Sequence, residues 1–264
     1  MSATSATSAT SEEGKQPEAP TPGLPKIDVH EYGGKRGSDT RQSMNRRLFM
    51  QLLVFDVPRG DDADEVARRL AITLRERKIA SVIYADTMSP RGLGLLSWSE
   101  DPSRFVTHVR PLFSTELLKR VELRNDMAMI GRSYSTGHEP ELEFSLLQRP
   151  IKNVMEEAYA WHVWYPLRRT GAFAALEGIQ QSHILREHAT IGMAYGAQEL
   201  AHDIRLACHG LDANDNEFVI GLVGKELHPL SHLVQAMRKT KQTSEYIAKM
   251  GPFFVGNVLH RAHG

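Results

Sequence analysis

Cysteine is almost missing from this chain of 264 residues: Cys208 stands alone. That excludes an internal disulfide framework, a zinc ribbon and an iron–sulfur cluster held by this chain by itself. Long hydrophobic runs are missing too, and no stretch approaches the roughly 20 apolar residues that span a bilayer. Net charge is lacking as well, since 32 Lys and Arg balance 32 Asp and Glu. The balance argues against chain-wide attraction to nucleic acid or to a membrane surface. Three enzyme signatures are also absent: a Gly-rich phosphate loop, a Gly-x-Ser-x-Gly elbow and a His-Glu-x-x-His pair. Gly92-Leu93-Gly94 has no third glycine and reads as the start of a strand. A soluble, cytoplasmic protein is the expectation, with Cys208 a buried structural thiol.

What is present begins with a polar segment. Residues 1–26 carry Ser-Ala-Thr three times over and then four prolines. Such a composition does not bury enough apolar surface to offset its ordering entropy. Residues 1–45 are therefore expected to be a disordered or arm-like tail. From Arg46 onward the pattern predicts a strand at 47–56, a helix at 61–78, strands at 79–86 and 93–99, a helix at 101–118 and a strand at 123–134. The order β-α-β-β-α-β then recurs, with strands at 158–165, 200–209, 217–224 and 253–258 and helices at 173–195 and 227–241. Two such units, 46–150 and 151–264, predict an α+β fold of duplicated ferredoxin-like halves, a dimeric α+β barrel.

Three clusters could carry chemistry. Ile184, His188, Ile191 and Tyr195 recur at helical spacing, which puts an imidazole on an apolar helix face. A histidine so placed is commonly a hydrogen-bonded core residue; the functional alternative is an axial ligand to haem iron. Gly192 and Gly196 follow it and remove bulk where something flat could approach. In Trp161-His162-Val163-Trp164-Tyr165-Pro166-Leu167-Arg168-Arg169, alternation puts Trp161, Val163 and Tyr165 on one strand face, ahead of two guanidinium groups. An apolar face ending in a phenol beside arginines suits a planar ligand with carboxylates. In the third cluster Asp203, Arg205 and Ala207 share a strand face, either as an ion pair or with the arginine standing over a cofactor.

These residues together resemble the haem-binding half of the chlorite dismutase superfamily, which includes the coproheme decarboxylases. The resemblance runs from Trp161 to Val258. It is carried by Trp164-Tyr165-Pro166, Leu185-Arg186-Glu187-His188, Gly210-Leu211-Asp212 with Glu217-Phe218, Met237-Arg238-Lys239-Thr240 and Gly251-Pro252-Phe253-Phe254-Val255-Gly256. It implies His188 as the proximal iron ligand, haem b or coproheme as cofactor, and a homo-oligomeric ring of five or six. It places Tyr165 where decarboxylases of one bacterial group keep a tyrosine near a propionate. There, peroxide oxidises the iron, the tyrosine becomes a radical, and two propionates leave as carbon dioxide. Arg149, Lys152, Arg168 and Arg169 become candidates to hold propionates. The spacing from His188 to Gly210 is about two residues longer than the family pattern, so the distal position is open between Asp203 and Arg205. An arginine there resembles the chlorite-decomposing members. The expected functions are thus coproheme decarboxylation, chlorite decomposition, or non-catalytic haem carriage or sensing.

Overall fold

A computed structural model describes residues 23–35 and 40–264. Its strands are β1 (Glu31–Lys35), β2 (Arg41–Met44), β3 (Phe49–Asp56), β4 (Ser81–Asp86), β5 (Gly92–Ser99), β6 (Glu122–Leu123), β7 (Met129–Ser133), β8 (Trp161–Arg169), β9 (His202–Ala207), β10 (Phe218–Gly224), β11 (Ile247–Met250) and β12 (Phe254–Ala262). The helices are α1 (Ala63–Glu76), α2 (Arg149–Met155), α3 (Gly171–Ala174), α4 (Gly178–Ala197), α5 (Leu227–Met237) and α6 (Lys241–Tyr246). Among the described residues no helix is long and apolar enough to cross a membrane.

The strands of each half are ordered as in a ferredoxin-like sheet: β7-β3-β5-β4 in the first and β9-β10-β8-β12 in the second. The halves join edge to edge. β4 pairs with β12 from Gly256↔Asp86 to Ala262↔Ser81, and β7 pairs with β9 at Arg132↔Ala207 and Ser133↔Leu206. All the pairings are antiparallel, so eight strands close into a barrel within one chain. Closure covers those edges, along most of β4 and at the end of β7.

Alternation divides the side chains. Met50, Leu52, Val82, Tyr84, Leu96, Trp164, Ile204, Leu206, Val219, Val223 and Phe254 fill the interior. Large rings fit because neighbouring strands present glycine. A Cβ on Gly221 would lie 2.6 Å from the Trp164 ring, and one on Gly94 would lie 2.5 Å from the Phe254 ring. Outside the first half, α1 buries Val66, Ala67, Leu70, Ala71 and Leu74 against the sheet. Each large aliphatic side chain so buried contributes about 1.5–3 kcal/mol. Asp62 caps the helix, accepting from the backbone N–H groups of Asp64 (2.9 Å) and Glu65 (3.3 Å).

Several boundaries differ from the sequence expectation, for local reasons. The helix expected at 101–118 is a π-type turn (Phe105–Val109) followed by a 3-10 turn (Arg110–Ser114), because Pro111 has no N–H for an α ladder. The helix expected at 173–195 is α3 and α4, restarted by a capping box between Glu177 and Gln180. The helix expected at 227–241 stops at Met237, and Thr240 caps the separate α6. β11 falls outside every predicted strand.

The expected tail needs a partial correction. Residues 1–22 lie outside the described residues, but β1 and β2 form an antiparallel ribbon. It is fastened to the body by Glu31, whose carboxylate accepts from Arg47 (3.1 Å), Arg132 (3.2 Å) and the Ser135 backbone (2.9 Å).

Candidate functional site

The outer face of the second half is an apolar carpet. Reading across paired strands, Asp203, Leu222 and Val163 form one row, Arg205, Ile220 and Tyr165 the next, and Ala207, Phe218 and Leu167 a third. Phe253 lies flat on Tyr165, with ring centroids 4.5 Å apart and planes at 24°. Burial holds the Tyr165 phenol well above its ordinary pKa, Asp203 adds to the rise, and Arg238 opposes it. The group is therefore a neutral hydrogen donor at any physiological pH.

α4 lies over this carpet, yet of its 20 residues Ile184 alone is fully buried. Trp161, Phe218, Ile220, Phe253 and Val255 beneath stay half-buried. The contrast with α1, which buries five residues in 14, marks a helix that meets its sheet along a narrow stripe.

His188 sits in this layer, three residues before Ile191, which packs against the Tyr165 cluster. Its Nδ1 is 3.4 Å from the Thr240 hydroxyl. Thr240 has committed its own proton to the Met237 carbonyl at 2.8 Å, so towards His188 it accepts. With Nδ1 donating to Thr240, Nε2 would keep the lone pair, the tautomer that iron ligation requires. Burial lowers the His188 pKa first and Arg205 second, while Asp203 and Glu187 pull it back up. Glu187 is engaged elsewhere, accepting from the Lys241 backbone at 3.0 Å.

The acidic and basic candidates part company. Asp203 ties down two arginines, Arg149 at 2.5 Å and Arg205 at 3.0 Å. Arg169 shares the carpet face, bonded to Glu217 at 3.0 Å and stacked over Phe173 at 4.4 Å and Phe218 at 4.8 Å. Lys152 is exposed one helical turn beyond Arg149. Arg168 is set apart from the others: alternation sends it to the opposite strand face, where it meets the Asn214 carbonyl (3.3 Å) and Asp215 (3.6 Å). Gly192 and Gly196 of α4 are not forced by their protein neighbours. A Cβ at Gly192 would find Met237 at 3.6 Å and one at Gly196 the Ala201 carbonyl at 3.8 Å, both ordinary contacts.

Sequence reasoning missed three contributors: Thr240, Phe253 and Tyr134, whose ring lies 5.5 Å from Phe218. The first two stood in the stretches that carry the resemblance, but nothing local announced their contacts. Cys208 is fully buried, and burial with Asp212 nearby pushes its thiol up to about 12, so it is inert. Among the described residues no three His, Cys, Asp or Glu side chains gather as a metal cage. Cavities of about 300 Å³ (beside Trp98 and Phe105) and 220 Å³ (beside Gln51 and Asp212) lie away from His188.

Residues 132–259, which span this face and its helices, match the family model for chlorite dismutase. That stretch, just under half of the chain, carries a chlorite dismutase domain. The fold of the chain is shared with a haem-binding protein from Thermus thermophilus, at 16% identity over 82% of this chain and 92% of that one, TM-score 0.62. It is shared also with the chlorite dismutase of Candidatus Nitrospira defluvii in complex with imidazole, at 14% identity over 81% and 91%, TM-score 0.64. An arginine-to-lysine variant of that enzyme aligns over 82% and 93% with the same identity, 14%, and TM-score, 0.64. No curated protein matches in sequence. The chain thus has the fold of these proteins around a site that its own residues must explain.

Proposed function

We propose that the chain is a haem-dependent oxidoreductase that decarboxylates coproheme propionates with peroxide, yielding haem b. The observation that carries this reading is the pairing of His188 and Tyr165 across one layer. The imidazole of His188, on α4, and the buried neutral phenol of Tyr165, on β8, belong to the layer in which Ile191 of α4 packs on the Tyr165 cluster. The donor set fits an iron porphyrin: one nitrogen ligand, half-buried rings and aliphatics for the macrocycle, and arginines at the rim. Bound through His188, the iron would supply the oxidising power drawn from peroxide.

The chain's own residues do the rest. Thr240 holds the His188 ring and fixes its tautomer. Phe253 and Ile220 exclude water from the Tyr165 phenol, which keeps its proton until it is oxidised. Arg149, Arg169 and Arg205 offer charge-assisted bonds to carboxylates, Arg149 and Arg205 by exchanging Asp203 for a propionate. Lys152 is a further candidate at the exposed rim. Binding exposes no new apolar surface, because the carpet is already half open.

Titration with haem and with coproheme tests the reading, followed by peroxide and mass spectrometry of the porphyrin. A Soret shift abolished in His188→Ala, and propionate loss stopped in Tyr165→Phe, are the results expected. Unchanged decarboxylation in Tyr165→Phe overturns the role of that phenol. A second reading, chlorite decomposition by bound haem b, is favoured by one observation: Arg205 is exposed on the same face and lies within electrostatic reach of His188. Dioxygen release on adding chlorite, lost in Arg205→Ala, would establish it. Further copies of this chain are the proposed protein partners. Ile179 and Met193, 72% and 66% exposed on α4, support association, and light scattering after size exclusion measures it.

A further inference from the structure

The barrel interior holds a polar aromatic cluster that the site does not use. Tyr84, His162 and Trp164 are 0%, 0% and 1% exposed. The Tyr84 hydroxyl lies 2.8 Å from Nδ1 of His162, with ring centroids 5.2 Å apart. Burial raises the Tyr84 pKa, and the nearby Trp164 indole opposes the rise. Trp164 follows His162 by two residues on the same face of β8, and the next residue along is Tyr165, on the opposite face. Adjacent Cα atoms are about 3.8 Å apart, so a single strand separates the two faces.

The cluster is costly as mere packing. His162 Nε2 and Trp164 Nε1 are buried without a well-formed hydrogen bond, and each such group forfeits its hydration. Making room for these rings takes glycine at Gly221, beside Trp164, and at Gly256, where a Cβ would sit 2.8 Å from that of Tyr84. An apolar core would have needed neither sacrifice. Burial first, and Arg261 second, hold the imidazole far below its usual range, at about 3, so His162 is neutral and has a lone pair to accept a proton. Arg261 itself is spent on the carbonyls of Val154, Glu156 and Tyr159.

We propose that Tyr84, His162 and Trp164 form a hole-transfer relay that draws oxidising equivalents from the outer-face site into the barrel. One electron passes from Tyr84 through Trp164 to the oxidised site, and Trp164 is left as it began. The Tyr84 O–H bond breaks, its proton moves along the existing hydrogen bond to Nδ1, and an N–H bond forms on His162. An oxidised phenol is a strong enough acid to protonate even this weak base. The oxidant is peroxide acting at the bound porphyrin, so in that respect the relay rests on the haem reading. Its use would be protection: holes that find no propionate are stored on a phenol that water does not reach.

Two arms test the relay. Laser photoionisation of tryptophan in the porphyrin-free protein needs no haem. The tryptophanyl band should decay as a tyrosyl band grows, and most of that growth should vanish in Tyr84→Phe and in Trp164→Phe. In the haem-loaded protein treated with peroxide alone, freeze-quench EPR should show a tyrosyl signal missing from Tyr84→Phe, with porphyrin bleaching several-fold faster in that variant. Tyrosyl growth unchanged in both variants, with circular dichroism confirming their fold, overturns the relay and leaves the haem reading untouched. Growth lost as expected in a protein that binds no porphyrin keeps the relay and removes the haem reading.

Discussion

Phe253 lies face to face with Tyr165, and the stack seals the phenol beneath the layer that carries His188. Replacing Phe253 by alanine should let water reach the phenol. Because burial is the largest cause of the raised Tyr165 pKa, the tyrosinate absorbance should then appear at lower pH than in wild type. Phe253 is only half-buried, so the stability cost should be about 2 kcal/mol, below the 3–5 expected for a fully buried ring. An ultraviolet pH titration and a urea curve give both values; an unmoved titration would show that Phe253 does not seal the site.

Asp203 holds Arg149 and Arg205, two of the groups proposed to meet carboxylates. Asp203→Asn should free both guanidinium groups and raise affinity for a tetracarboxylate porphyrin by about tenfold, the equivalent of ~1.4 kcal/mol. The gain should shrink as salt is added and be absent for the porphyrin tetramethyl ester. Fluorescence-quenching titrations at two ionic strengths distinguish these outcomes.

His162 gives the fold an acid limit. Its folded pKa of about 3 lies below the unfolded value near 6.5. Above pH 6.5 both states are neutral and stability is full. As pH falls below that, the unfolded chain takes a proton that the barrel refuses. Stability should then drop by at most ~1.4 kcal/mol per pH unit until the folded pKa is reached. His162→Gln should flatten this limb by about one proton, measured from urea midpoints between neutral pH and pH 4.5. Equal slopes in both proteins would place the acid sensitivity elsewhere.

Gly221 and Trp164 are coupled by shape. Gly221→Ala puts a methyl group 2.6 Å from the indole, and should cost about 1–3 kcal/mol through overpacking. Trp164→Leu in the same chain should return part of that loss. Thermal denaturation of the two single variants and the double variant closes the cycle; strict additivity would contradict the contact.

The sequence already contained much of this arrangement. The spacing of Ile184, His188, Ile191 and Tyr195 marked the helix face that meets the sheet, because α-helical periodicity is local information. Alternation along Trp161–Arg169 separated Tyr165 from Trp164, and applied one step further it would have separated Arg169 from Arg168. The partners of those residues were not legible. Thr240 reaches His188, and Phe253 reaches Tyr165, only through strand register and the path of the chain after α5. The same holds for barrel closure: edge-to-edge pairing of β4 with β12 depends on twist and register that no single strand encodes. Pro111 stands within the helix expected at 101–118, where its missing N–H breaks the α ladder.

The reciprocal seams β4–β12 and β7–β9 join the two halves along both edges of each sheet. A polypeptide ending near residue 150, or one beginning there, would expose both outer strands of its four-stranded sheet. Each fragment made alone should self-associate through those edges. Made together in one cell, they should find each other and rebuild the ring without a covalent link, so that the half bearing His188 becomes competent only when the other half is supplied.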